Sequence, residues 1–105
     1  MAVNEQEMFT IDLIVTELNK EENDRALENL KTLRRNYFVE TGDIYTGEPL
    51  TLLIKHGLVY RVEHLHDYNV PDFGITQRGM LVFEEYKHRH GKFPKYGWSM
   101  DPLTL

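Results

Sequence analysis

The amino-acid sequence predicts one small α+β domain that is mainly helical, with an antiparallel sheet of two or three strands. Apolar residues recur at helical spacing in four segments of the 105-residue chain. A β-type run over residues 58–65 alternates in character, and a second short run follows at 73–76. A hydrophobic fraction of 41% and a charged fraction of 28% are ordinary for a globular protein with one core.

The first two helices are predicted over residues 5–19 and 24–35. The first has two acids in its first turn, where the helix dipole favours them, and Asn23 or Asp24 can cap the second. The buried stripe of the first helix is expected to contain Met8, Ile11, Val15 and Leu18. The inward face of the second is expected to contain Ala26, Leu27, Leu30 and Leu33.

The third helix is predicted over residues 48–56. The link before it, NYFVETGDIYTGEP, can form a hairpin, a turn-rich connection or a third strand within residues 37–45. We expect Thr46 to cap the helix, with Leu50, Leu53 and Ile54 buried. Gly57 stands where a helix commonly ends in a left-handed residue, and Leu58 can then fold back on the helix.

Two strands and a fourth helix complete the predicted domain, residues 1–91. In the strand 58–65 the more apolar face, expected to pack on the core, contains Leu58, Tyr60, Val62 and His64. After the return strand FGIT, Thr76 can cap a helix over residues 77–90. Its buried stripe is predicted to contain Gly79, Val82, Phe83 and Tyr86. Residues 92–105 form an aromatic and basic C-terminal tail.

Two motifs, LLIKHGLVYR (52–61) and FGITQRG (73–79), together resemble the winged-helix superfamily, of the kind found in MarR-like and PadR-like regulators and phage transcription factors. In that family a recognition helix ends in a leucine-rich turn and Gly-Leu-Val. A strand then leads into a wing, and the return strand ends at Thr-x-x-Gly, which opens the next helix. The similarity covers about residues 46–86. It implies a winged-helix fold and sequence-specific binding of double-stranded DNA in transcriptional regulation.

The resemblance also implies which residues would contact DNA. The third helix would enter the major groove, and Arg61 and the wing, together with the basic residues from Lys87 to Lys95, would touch phosphates. The expected DNA-binding residues are Thr46, Glu48, Thr51, Lys55, Arg61, Lys87, Arg89, Lys92 and Lys95. The third helix departs from the usual pattern, because its outer face carries one cation and base contacts favour Arg, Lys, Asn and Gln.

The net charge of the chain suggests a second possible function. The net charge is −5, and residues 1–48 contain 11 acids and 5 bases, whereas residues 49–105 contain 6 acids and 7 bases. This balance argues against a general nucleic-acid coating protein but not against a sequence-reading module. The alternative is a winged-helix protein-interaction module that binds a larger partner through its acidic half or aromatic tail, without binding DNA.

The sequence gives no pattern for catalysis or for a cofactor. It contains no cysteine, one serine and no glycine-rich phosphate loop, so we predict no enzyme. His64 and His66 could share one strand face, but a third metal ligand is not evident, so we interpret them as solvated. With no apolar run of membrane-spanning length and no signal peptide, we expect a cytoplasmic protein.

The first helix has more apolar residues than one stripe requires, because Phe9, Leu13 and Ile14 flank it. Such a surplus favours a homodimer, and burial by the chain's own tail is the alternative. The tail itself could serve as a nucleic-acid or partner-binding arm. Alternatively, Phe93, Tyr96 and Trp98 could pack back on the domain.

Overall fold

A computed structural model describes residues 4–63 and 71–91. The elements in chain order are α1 (Glu5–Leu18), α2 (Asp24–Asn36), β1 (Phe38–Val39), α3 (Glu48–Lys55), β2 (Val59–Arg61), β3 (Phe73–Ile75) and α4 (Gln77–His90). Two short 3-10 turns, Glu21–Asn23 and Thr41–Asp43, precede α2 and α3. The predicted α+β class is therefore confirmed: the chain is mainly helical, with a small antiparallel sheet.

Helices α1 and α2 bury the faces that their apolar periodicity predicts, with one exception in α1. Ala26, Leu27, Leu30 and Leu33 of α2 are all buried, as are Ile11, Val15 and Leu18 of α1. Met8 is not, since 41% of its side chain is exposed, and Ile14 takes its place in the core. The buried stripe of α1 therefore contains Ile14 in place of Met8.

Asn23 precedes α2 as predicted, but its side chain does not cap that helix. Its amide nitrogen instead donates to the Glu17 carbonyl oxygen at 2.8 Å. That carbonyl belongs to the last turn of α1. The carbonyl oxygens of a helix's last turn have no N–H donor within the helix. Asn23 therefore closes the link between α1 and α2.

The sheet has the order β1-β3-β2, and both pairs are antiparallel. The possible third strand within residues 37–45 is present as β1, which pairs Phe38 with Gly74. The central strand β3 is buried along its whole length. β3 lies between the two short outer strands and also contacts α2.

The predicted core face of β2 was wrong. Val59 is 3% exposed and Tyr60 is 43% exposed, the reverse of the expectation. The reason is that Leu58 belongs to the end of α3 and not to the strand, because its N–H donates to the Leu53 carbonyl oxygen at 2.9 Å. Strand alternation therefore begins one residue later, and a shift of one residue exchanges the two faces. His64 lies outside the described residues.

The start of α3 also differs from the prediction. The N-cap is Gly47, with φ of 79°, and its carbonyl oxygen accepts the N–H of Thr51 at 2.9 Å. Thr46 is exposed one residue earlier and does not cap the helix. Glycine takes this place because positive φ is costly for a residue with a side chain. Leu50 and Leu53 are buried as predicted, whereas Ile54 is half-buried.

The end of α3 matches the prediction and joins it directly to α4. Gly57 has φ of 74°, and its N–H donates to Ile54 while that of Leu58 donates to Leu53, the paired bonds of a Schellman ending. The Thr76 hydroxyl donates to the Gly57 carbonyl oxygen at 2.6 Å and accepts the Gly79 N–H at 3.0 Å. One side chain therefore caps α4 and fixes it to the end of α3.

Gly79 allows α4 to approach this junction closely. It is buried in the first turn of α4, and a Cβ atom built there would collide with the Leu58 carbonyl oxygen and lie 2.7 Å from Ile75 Cγ1. Backbone cannot move aside as a flexible side chain can. The predicted buried stripe of α4, which also contains Val82, Phe83 and Tyr86, is confirmed.

We expect Gly79→Ala to destabilise the protein by about 1–3 kcal/mol, a typical cost of overpacking. Alanine in a helix normally gains about 0.5–1 kcal/mol over glycine, so a loss would show that the close contact dominates. Gly42→Ala is the control, because nothing lies within 4 Å of a Cβ atom there. Urea unfolding monitored by circular dichroism measures both, and equal stability of G79A and G42A would contradict the packing argument.

Candidate interaction surface

The exposed side of α3 forms a ridge between two grooves. Glu48, Thr51 and Lys55 are exposed and Leu52 is half-buried, and their spacing of three and four residues places them on one helix face. We call these four residues the α3 ridge. Leu52 and Lys55 line both grooves, so each groove is bordered by the same helix.

The first groove, here the acidic groove, separates α3 from the start of α2 and encloses about 550 Å³. Its apolar lining residues are Ala26, Pro49 and Leu52. Its charged lining residues are Glu21, Glu22, Asp24, Arg25, Glu48 and Lys55, four acids and two bases, for a net charge of −2. The Arg25 guanidinium lies 5.2 Å from the centre of the Tyr45 ring, a geometry that favours cation–π attraction.

The second groove, here the α1–α3 groove, lies between α1 and the end of α3 and encloses about 440 Å³. Its apolar lining residues are Leu13, Ile14 and Leu52. Lys20 and Glu17 line it together and form an ion pair of 2.9 Å. The hydrogen bond from Lys20 lowers the pKa of Glu17, so that carboxylate stays charged.

Asn29 of α2 holds the chain that leads into α3, a role that the sequence prediction missed. Its side chain is buried, its amide nitrogen donates to the Tyr45 carbonyl oxygen at 2.8 Å, and its oxygen accepts the Tyr45 N–H at 2.8 Å. A sequence signal existed: Asn29 stands three residues after Ala26 and four before Leu33, on the inward face. A buried amide needs partners, and the backbone of Tyr45 supplies them.

The structure separates the DNA-binding residues predicted from the sequence into distinct places. Glu48, Thr51 and Lys55 share the α3 ridge. Thr46 is exposed before α3 and lines neither groove. Arg61 is exposed on β2, with its guanidinium 5.4 Å from the centre of the Phe73 ring.

The basic residues at the end of α4 do not extend the α3 ridge. Lys87 Nζ lies 5.8 Å from the centre of the Phe83 ring. Arg89 forms ion pairs with Asp12 of α1 and with Glu85, the latter at 2.7 Å. The hydrogen bond to Glu85 raises the pKa of Arg89. Two carboxylates therefore already balance the Arg89 charge, and Lys92 and Lys95 lie outside the described residues.

The described residues contain no cluster of side chains suited to bind a metal ion. Within residues 4–63 and 71–91, no three His, Asp or Glu side chains come together as ligands could. The pair His64 and His66 and the nearby Asp67 lie outside this range. Asp72, at its edge, accepts the Thr41 N–H at 2.8 Å and the Thr41 hydroxyl at 2.9 Å. Its carboxylate thus connects the start of β3 to the turn that follows β1.

Comparison of the sequence with models of protein families, with curated proteins and with solved structures finds no match. Among the helices of the described residues, none combines the length and the apolar character needed to cross a membrane.

We expect Asn29→Ala to destabilise the protein by about 1–3 kcal/mol, because two hydrogen bonds are lost and the backbone groups of Tyr45 lose their partners. Asn36→Ala, at an exposed position of α2, is the matched control. Chemical unfolding measures the free energy of both variants. If N29A and N36A were equally stable, the bonds to Tyr45 would contribute nothing to the folded state.

Protonation of His56 should weaken the fold. Burial, together with the charges of Lys55 and Arg78, lowers the pKa of His56 in the folded protein. The unfolded chain therefore binds the proton more readily, and this contribution to stability is full above the unfolded pKa of about 6.5. It is lost as the pH falls from there through the folded pKa.

We accordingly expect His56→Gln to lose less stability than the unmodified protein between pH 7.5 and pH 5.5. Urea unfolding at both values measures the two differences, and carboxylates common to both proteins cancel in the comparison. An identical loss in the two proteins would show that His56 does not contribute.

Proposed function

We propose that this chain is a winged-helix domain that acts as a protein-interaction module, and that the α3 ridge and the acidic groove bind a basic, partly apolar segment of a larger protein. The order of elements from α3 onward supports the winged-helix assignment. A helix ending at Gly57 is followed by β2, by the antiparallel return strand β3, and by α4 capped at Thr76. These are the features on which the resemblance to that superfamily depends.

The charge around α3 carries the proposal. The two grooves together are lined by five acids, Glu17, Glu21, Glu22, Asp24 and Glu48, and by three bases, Lys20, Arg25 and Lys55, for a net charge of −2. Duplex DNA presents about one negative charge per 1.7 Å of its axis, and its affinity for proteins depends on cations that neutralise phosphates. A net-negative face opposes that contact and favours a partner with positive charges.

The apolar part of the acidic groove indicates what else the partner should contain. Ala26, Pro49 and Leu52 line this groove together with Glu22 and Glu48. Protein interfaces commonly combine an apolar centre with a polar rim. A segment with Lys or Arg on either side of an apolar side chain matches this pattern, because the rim charges speed encounter and the apolar contact slows dissociation.

Binding of duplex DNA is the second candidate. It is supported by the exposure of Thr51 and Lys55 on the α3 ridge and of Arg61 on β2. These side chains could contact phosphates if the duplex approached from the side of β2, away from Glu21 and Glu22. This arrangement would use fewer cations than sequence-reading helices usually offer.

Titration with mixed-sequence duplex DNA at about 50 and 200 mM salt separates the two candidates. We expect the dissociation constant to be weaker than about 10⁻⁴ M at both salt concentrations, the weak limit of non-specific binding. Tight binding that weakens steeply with added salt would overturn the protein-interaction proposal and favour DNA. If these carboxylates oppose DNA, Glu22→Lys should give measurable binding of the duplex at the lower salt concentration.

Capture from native cell lysate tests the partner directly. Tagged protein should retain its partner after nuclease treatment, and Glu22→Lys should reduce the captured amount several-fold. Glu5→Lys is the matched control, because it reverses an exposed glutamate that lines neither groove. Loss of capture on nuclease treatment, or equal loss with E22K and E5K, would contradict the proposal.

A further inference from the structure

α1 exposes an apolar face that the described part of the chain does not cover. The exposed fractions are 41% for Met8, 63% for Phe9 and 55% for Leu13. Phe9 and Leu13 are four residues apart and therefore neighbours on the helix. These three residues are called the α1 outer face. Contiguous apolar surface of this kind commonly marks a contact with another segment.

Two exposed tyrosines of the described chain have an arginine beside their rings. The Arg34 guanidinium lies 5.6 Å from the centre of the Tyr37 ring, and Arg25 lies 5.2 Å from that of Tyr45. Tyrosine also has a hydroxyl that water can solvate. Phe9 and Leu13 have no polar group, so their exposure costs more and their burial would stabilise the fold more.

The end of α4 lies beside the α1 outer face. Arg89, in the last turn of α4, forms its ion pair with Asp12, and at 100° per residue Asp12 projects between Met8 and Phe9 around α1. The chain then leaves α4 at Gly91, which has φ of 78°. The described chain thus ends at Gly91, two residues after the arginine that contacts Asp12.

The composition of residues 92–105, KFPKYGWSMDPLTL, is complementary to α1. This segment contains three aromatic residues, Phe93, Tyr96 and Trp98, and two lysines against one aspartate. α1 contains four acids and no base, and three of these acids, Glu7, Asp12 and Glu17, form ion pairs with Arg78, Arg89 and Lys20. Fourteen residues can span up to about 46 Å when extended, whereas the 14 residues of α1 extend over about 21 Å. The segment can therefore reach the whole face.

We propose that residues 92–105 fold back on the α1 outer face and cover Phe9 and Leu13 with their aromatic side chains. A covalently attached segment acts at an effective concentration of order millimolar, which favours it over a second copy of the chain at ordinary protein concentrations. Its lysines would lie near Glu5, at the exposed start of α1. The inference concerns α1 alone and does not depend on what the α3 ridge binds.

Trp98 is the only tryptophan in the chain, so its fluorescence reports on this segment alone. In the full-length protein the emission should lie at shorter wavelength than in the chain unfolded by denaturant, and iodide should quench it less. The double variant Phe9→Ser with Leu13→Ser should move the emission back toward the unfolded value. The single variant L13S should give an intermediate shift, and it replaces the double variant if circular dichroism shows a loss of helix.

Phe38→Ser is the control, because Phe38 is also exposed and lies on β1. It should leave the emission unchanged. A solvated Trp98 in the unmodified protein, or a buried one insensitive to the α1 variants, would overturn the proposal. Sedimentation at several protein concentrations distinguishes the tail from a second copy of the chain. If the mass doubled together with the emission shift, the second copy would be what covers the α1 outer face.

Discussion

The close contact between Gly79 and the Leu58 carbonyl group is the constraint on which the arrangement of α3, the sheet and α4 depends. Leu58 ends α3 and leads into β2, while Gly79 lies in the first turn of α4 after β3. Because the two backbones touch, a side chain at position 79 cannot be accommodated without moving an element. The Thr76 hydroxyl, which donates to Gly57 and accepts from Gly79, sets the same distance through hydrogen bonds.

Arg78 extends this junction to α1. Two of its guanidinium nitrogens donate to the two carboxylate oxygens of Glu7, each at 3.0 Å, and a third donates to the His56 carbonyl oxygen at 3.2 Å. A bidentate pair fixes orientation as well as distance. The arginine next to the glycine contact thus orients α1 and the end of α3 together, which defines the α1–α3 groove.

The sequence predicted this junction well because its signals are local: a glycine after an amphipathic helix, and a threonine three residues before another glycine. It predicted less well where one residue belongs to two elements or where the backbone takes an unusual angle. The faces of β2 were exchanged because Leu58 belongs to the ending of α3, and Gly47, with its positive φ, caps α3 in place of Thr46. Contacts between distant residues were not predictable from local patterns, as with the ion pair of Arg89 with Asp12, which joins residues 77 positions apart.

The residues that build the junction differ from the residues that could select a partner. The junction uses backbone groups, Thr76 and two glycines, none of which selects a partner. Selection depends on exposed residues that could change without disturbing the junction, and here acids outnumber bases among the residues that line the acidic groove. The carboxylates that line the acidic groove repel phosphates and attract a cationic protein segment. The charge of this surface therefore supports the proposed protein partner.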